Sequence, residues 1–456
     1  MLHSYLLHAL LWALLLGSAG RAQAQAPQGA GPVIDLPPDV AAAPAEEALP
    51  AAPAPAPQPA SGQGSAPIQS PYFFTDPVKR AINTPLLNLP RESQIDVSLD
   101  PRSASQRGAA VGSYGEMIVN APLDGKGPAV ADLRRTILFF GFNFTDHIRY
   151  FSEIEWEHAF SSNKQDGEIS VEQMIIDFVI RRWFNVRTGM SIVPVNLVNL
   201  YHEPPTFHGV ERPDVDLFII PSTWKQLLVG FYGAVGDLRY QLYITPGLRA
   251  EGFTAATGIR GGVQDNWPKI RDIGVTGRID WSPFLGANFG VSGFFSKAGQ
   301  GDPNLGNISV TIGAFDARFN RAGFVLAGQV SYIYLNDVEQ LNALLFRISP
   351  LAGPVSRQLV GGYVEAAYNL LQPLHLKSSM MMFAFFRYNR TDTQLDVPEQ
   401  VLTAPRRAGF DRTAYVAGLT FKPIFEISIK ADYTYRHTEL ADSGSHQLNL
   451  GLGYQF

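Results

Sequence analysis

Gln447-Leu-Asn-Leu-Gly-Leu-Gly-Tyr-Gln-Phe456 ends the chain in strict alternation. Successive side chains of a strand point to opposite sides. Leu448, Leu450, Leu452, Tyr454 and Phe456 therefore share one face, and Gln447, Asn449, Gly451, Gly453 and Gln455 share the other. A wholly apolar face fits a half-buried strand of a soluble sheet, and it fits equally a strand that meets lipid. In an open sheet a terminal strand leaves an edge that must be protected. Closing a transmembrane barrel removes that edge, because every backbone group then pairs with a neighbouring strand.

Composition narrows the choice. The chain has 456 residues, of which 46% are hydrophobic and only 17% charged, with a formal net charge of -5. Such weak, nearly balanced charge argues against a nucleic-acid partner. Cysteine is absent, which excludes disulfides and thiolate metal sites. Beyond the N-terminus, no run approaches the roughly 18 apolar residues of a membrane helix, so any crossing must be made by strands.

Residues 1–24 read as a secretory signal peptide. An apolar run from Ala9 to Gly17 precedes Ala22-Gln-Ala24, a small-x-small cleavage pattern, although no Lys or Arg precedes the run. Residues 25–110 form an Ala/Pro-rich periplasmic tether and connecting segment, too poor in core-forming residues to fold alone. Tyr72-Phe-Phe74 and Pro85-Leu-Leu-Asn-Leu-Pro90 are its candidate docking elements.

Residues 111–456 change character. Segments of alternating hydrophobicity recur, most clearly at Ile427, Ile429, Ala431, Tyr433 and Tyr435, which oppose Ser428, Lys430, Asp432, Thr434 and Arg436. About sixteen such segments are expected, starting near Gly112, Leu133, His147, Gly167, Phe184, Lys225, Asp237, Asp272, Gly286, Asn307, Ala322, Gln358, Leu376, Asp411, Ile424 and Ser445. Their connections alternate in length. Tight turns such as Arg182-Trp183 and Val235-Gly236 are separated by long links at residues 196–224, 246–271, 337–357 and 391–410. Short periplasmic turns and longer outer loops are the pattern of an all-β transmembrane antiparallel barrel in the bacterial outer membrane.

The alternation then assigns the charges to the lumen, since Arg or Lys at the bilayer midplane costs about 2–4 kcal/mol on the lipid face. The pore-lining candidates are Arg135, Arg149, Glu153, Glu155, Glu157, Arg187, Arg278, Asp280, Arg318, Arg387, Lys430, Asp432 and Arg436, with Glu426 also placed inward. More than half of these charges should pair across neighbouring strands. Glu153, Glu155 and Glu157 share one face. They read as an acidic stripe that attracts cations rather than as an acid–base pair, because no catalytic motif lies nearby. Nothing in the spacing places a nucleophile, and no cofactor or enzymatic activity is expected.

The longest link, residues 196–224, is rich in proline and aromatics, so it reads as ordered. Folded into the lumen, it would form a constriction carrying Glu203, Glu211, Asp214 and Asp216 against Arg212. His202, Glu203, His208 and Glu211 have metal-ligating side chains, but their spacing matches no metal motif.

Phe184-Asn-Val-Arg-Thr-Gly-Met-Ser-Ile-Val-Pro-Val195 resembles a strand of the phosphate-selective porin O and P family, with Arg187, Gly189 and Pro194 at the matching positions. The resemblance extends loosely to residue 456 through the strand rhythm, the preceding segment Gln173 to Phe178, and Phe456. It implies a sixteen-stranded outer-membrane porin, usually a homotrimer, with loops narrowing the lumen. It also implies that Tyr454 and Phe456 serve as the signal for the barrel-assembly machinery. Ile192-Val193 stands where a lysine would favour phosphate. General diffusion of small hydrophilic solutes or ions, a phosphate- or anion-selective channel, and a plugged barrel acting structurally or as an outer-membrane enzyme are the alternatives that follow.

Overall fold

The computed structural model describes residues 108–456, except 126, 159–166, 265–266, 349–353, 375–378, 399–407 and 441–443. The signal-peptide and tether expectations lie outside the described residues. Sixteen antiparallel strands form a closed barrel in which each strand pairs with its sequence neighbours and β1 pairs with β16. They are β1 (Gly108–Pro122), β2 (Val130–Asn143), β3 (Ile148–Glu157), β4 (Glu168–Arg181), β5 (Phe184–Ile192), β6 (Lys225–Val235), β7 (Leu238–Pro246) and β8 (Ile273–Trp281). The second half continues with β9 (Ala287–Lys297), β10 (Ser309–Arg321), β11 (Phe324–Asn336), β12 (Gln358–Asn369), β13 (Met381–Asp396), β14 (Asp411–Lys422), β15 (Ile427–Thr438) and β16 (Ser445–Gln455). No helix among the described residues is long and apolar enough to cross a membrane.

The terminal decapeptide is the closing strand. Leu448, Leu450 and Leu452 are exposed on the outer wall, whereas Asn449 is 1% exposed on the inner one. Phe456 completes the seam, since it exchanges both backbone hydrogen bonds with Ser113 of β1 at 2.8 and 3.0 Å. The seam register runs from Tyr114 opposite Gln455 to Pro122 opposite Gln447. Every expected strand is present. The largest displacement is β13, which starts at Met381, whereas its expected start at Leu376 lies outside the described residues.

Tight connections gather at one end and longer ones at the other. Ala322 and Gly323 make one tight turn with φ of 52° and 84°, the left-handed pair that matches the twist of the flanking strands. Gly189 has a different reason to be glycine. Its φ is +127°, and a Cβ there would lie 2.1 Å from the Met174 carbonyl oxygen. The Arg187-x-Gly189 pattern therefore has a local steric cause in the close approach of β5 to β4.

Beneath the longer loops, the lumen is not empty. Trp224, Phe253, Ile259, Phe294, Leu305, Ile333, Leu341 and Leu359 belong to one buried apolar cluster. It joins the inner faces of β9–β12 to the β5–β6 loop, the β7–β8 loop and the amphipathic helix α3 (Val338–Ile348). The β5–β6 loop itself carries two short helices, α1 (Leu197–Leu200) and α2 (Asp214–Phe218).

Replacing Leu450, which is 47% exposed on the outer wall, with arginine should lower folding stability in phospholipid vesicles by about 2–4 kcal/mol. Denaturant titration measures this. An unchanged midpoint would mean that this face does not meet lipid.

Candidate functional site: the loop inside the barrel

The β5–β6 loop is held across the lumen by its own backbone. Its carbonyls accept hydrogen bonds from wall side chains one after another: Pro205 from Lys422 Nζ at 2.6 Å, Thr206 from Arg318 at 3.0 Å and His208 from Thr420 Oγ1 at 2.7 Å. Gly209 takes Lys430 Nζ at 2.8 Å, and Glu211 takes Arg387 at 3.0 Å. In return Asp432 accepts from the Val210 N–H at 2.6 Å, and Asn389 Oδ1 from the Asp214 N–H at 3.2 Å. A loop buried in a barrel would otherwise leave peptide groups unsatisfied, so these wall donors take the place of water. Lys430 also sits 3.9 Å from the centre of the Phe207 ring, a cation–π contact.

Carboxylates of the loop are paired as well. Asp214 makes a two-pronged contact with Arg436 at 2.8 and 3.1 Å, and Glu211 another with Arg134 at 2.6 Å. Burial acts to raise the Glu211 carboxyl, but Arg134 and the Asn120 amide outweigh it and hold it below the usual range. Asp216, bonded to Gln329 at 3.2 Å, is pushed up to about 6 by burial. Glu203 is 5% exposed, and Arg212 donates to Ser222 and Thr223 within the same loop. Wall arginines thereby neutralise two of the four loop carboxylates, Glu211 and Asp214.

Most of the remaining predicted lumen residues form ion pairs along the wall. Arg135 lies between Glu116 at 3.0 Å and Glu155 at 3.8 Å. Arg278 bridges Asp280 and Asp316, and Arg387 pairs with Glu365 at 2.6 Å. Arg187 grips Asp177 with two 2.8 Å bonds and lies 4.9 Å over the Tyr232 ring. Glu153 accepts from Gln173 at 2.6 Å. Arg149 and Glu157 are half-buried on β3. Glu426 differs from its inward placement: it is exposed in the β14–β15 turn, where strand alternation has ended. Tyr454 and Phe456 lie on the outer face of the seam, stacked at 6.3 Å.

His202 and His208 do not converge with Glu203 and Glu211, and no group of three metal-ligating side chains gathers among the described residues. His208 instead lies between Phe383 and Phe385, with ring centres at 4.7 and 5.9 Å. Burial, together with Arg318, Lys422, Lys430 and Arg387 around it, drives its pKa well below the ordinary value and keeps the imidazole neutral.

Two wall residues escape the alternation rule. Met117 of β1 faces two residues of β2, since Glu116 pairs with Arg135 and Ile118 with Asp132. This β-bulge turns Arg134 inward beside Arg135. On β4 a second bulge adds Glu172, because Glu153 pairs with Gln173 but Ile154 with Val171. Glu172 is fully buried and lies 2.6 Å from His202 Nε2. Bulges re-aim side chains in this way, and no local sequence signal marks either one. A further loop also enters the lumen. Arg260 of the β7–β8 loop donates to the Leu217, Ser222 and Asp216 carbonyls and so joins the two inward loops.

A closed sixteen-stranded barrel with an inward-folded loop is the fold of outer-membrane porins. The chain is similar to the crystal structure of the outer membrane channel DcaP of Acinetobacter baumannii, with 13% identity, 77% of this chain and 98% of that chain covered, and a TM-score of 0.50. It is also similar to an anion-selective porin from Comamonas acidovorans, at 9% identity over 77% of this chain and all of that one, with a TM-score of 0.49. No family model matches the chain. It belongs to the same family as an uncharacterized protein of Aquifex aeolicus (strain VF5), which is 32% identical over 339 residues, 72% of this chain and 76% of that protein.

Substituting Lys430 by methionine removes the donor to Gly209 and the cation–π contact while keeping an unbranched chain. A loss of about 1.5–3 kcal/mol is expected for a charge-assisted bond. Amide exchange in residues 205–211 should rise at least tenfold, and unchanged protection would show that this anchor is dispensable.

Proposed function

We propose that the protein is an outer-membrane channel for passive diffusion of small hydrophilic solutes or ions, with passage confined to one side of the lumen. The observation that carries this reading is the distribution of half-buried polar groups. On the inner faces of β3–β7, Arg149, Glu157, Asp177, Arg187, Tyr232, Arg239 and Gln241 retain partial exposure. Across the barrel, Asp316, Gln329, Glu365, Arg387, Lys422, Lys430, Asp432 and Asn449 are all at 5% or below, covered by the inward loops. A water path therefore runs beside the loop rather than through it, along a wall of charged and hydroxyl groups that replaces hydration.

This wall carries both signs of charge. Three guanidiniums, Arg149, Arg187 and Arg239, share it with three carboxylates, Glu157, Asp177 and Glu168, the last opposite Glu157 on β4, so these charges balance. Arg187, the position that matches the phosphate-selective family, is already occupied by Asp177 and Tyr232. The channel would therefore be general rather than directed at phosphate. The signal peptide at residues 1–24, the periplasmic tether at 25–110, a homotrimer, and recognition of Tyr454 and Phe456 by the barrel-assembly machinery belong to the same reading.

Purified protein in a planar bilayer should give stepwise conductance with a reversal potential near zero in asymmetric salt. Glu211→Gln, which leaves Arg134 uncompensated, should move that potential towards anion selectivity, and Arg239→Gln should move it towards cation selectivity. Absence of steps would make the barrel a plugged one. Steps with shifts of equal sign in the two variants would remove the electrostatic account of selectivity.

A further inference from the structure

We propose that the cavity between the β5–β6 loop and the inner faces of β10–β13 binds one small, weakly hydrated monovalent anion of the size of chloride, which ties the loop to the wall. Arg318 of β10, Tyr363 and Glu365 of β12 and Arg387 of β13 supply its polar lining. Leu197 and Phe207 of the loop and Ala327 of β11 lie on its apolar side. Two guanidiniums against one carboxylate leave this lining with one positive charge in excess. The carboxylate is already engaged, since Glu365 Oε2 lies 2.7 Å from Arg387 Nε and 2.6 Å from Nη2. Arg318 and Arg387 also hold the Thr206 and Glu211 carbonyls, so the cavity sits where wall and loop meet. Tyr363 is 8% exposed, and its hydroxyl has no hydrogen-bond partner among the described residues.

A buried positive charge without compensation is strongly unfavourable. A water molecule would satisfy the Tyr363 hydroxyl and leave that charge in place, whereas an anion answers both. Size decides its class. The cavity measures about 20 Å³, which admits one water-sized body and excludes phosphate or sulfate. The wall behind it strengthens the field. Lys422 lies within electrostatic reach of Arg318, and Lys430 of Arg387, while each lysine donates to a neutral carbonyl, Pro205 or Gly209. Of the other carboxylates that face these lysines, Glu116 is paired with Arg135, Asp432 accepts from the Val210 N–H and Asn449, and Glu426 is exposed. Asp216, which faces Tyr363, is bonded to Gln329. The site belongs to the covered side of the lumen, across from the β3–β7 wall, and does not rest on the channel reading.

Bromide, which scatters anomalously, is the probe for the site. Crystals of the full chain soaked in sodium bromide should show an anomalous peak in this cavity, within hydrogen-bond distance of Arg387 and the Tyr363 hydroxyl. A ligand that binds only the closed loop also protects it. In vesicles, replacing chloride by gluconate at equal ionic strength should therefore speed amide exchange at residues 197–207 about tenfold. Tyr363→Phe keeps the ring and removes one donor, so half-maximal protection should require about fivefold more chloride. Ala327→Leu fills the cavity without altering a charge and should exchange equally in the two salts. A cavity without bromide would overturn the proposal, because a bound water would then account for the lining. Equal wild-type protection in chloride and gluconate would overturn it too. A chloride effect of wild-type size in both variants would do the same, marking an adventitious ion only. None of these measurements depends on conduction.

Discussion

The structure depends on a substitution of protein for water around one loop. A barrel of sixteen strands leaves a polar lumen, and a loop folded into it must satisfy its peptide groups or pay desolvation for each. Here Lys422, Arg318, Thr420, Lys430 and Arg387 present donors to five nearby carbonyls between Pro205 and Glu211. The same cations could not face lipid, so one alternation in sequence both keeps the outer wall apolar and builds the cradle. The loop's carboxylates then neutralise the cations left over, at Arg134 and Arg436. Conformation of the loop and electrostatics of the lumen are for this reason one problem.

Most of the architecture was legible because it rests on a two-residue period and on loop length, both of which are local. The closing strand, the strand count and the inward placement of Arg135, Arg278, Arg387 and Lys430 all follow from side-chain alternation. Arg134 and Glu172 were not legible. Each owes its direction to an extra residue in a pairing register, and register is set between strands distant from any signal in the stretch itself. Glu426 failed for the opposite reason, since the period was extended one residue group beyond the strand's start at Ile427.

The acidic loop shows where composition misleads. Counted alone, Glu203, Glu211, Asp214 and Asp216 against Arg212 imply a cation-attracting constriction. Placed in the barrel, Glu211 and Asp214 are consumed by wall arginines, and Asp216 is buried against Gln329. In the proposed channel, the field that a solute would meet is set by the groups that stay partly hydrated, on β3–β7. A charge inventory becomes a statement about selectivity only after the partners are known.

The same reasoning separates the two meanings of the Arg187-x-Gly189 pattern. Gly189 is demanded by backbone geometry, since any Cβ would collide with β4. Arg187 is held by Asp177 on that same strand and stacked on Tyr232, so the pair clamps β4 to β5 where the wall leads into the inward loop. A pattern kept by such local requirements can persist in barrels that pass different solutes. Its presence accounts for the wall and for the loop's point of departure.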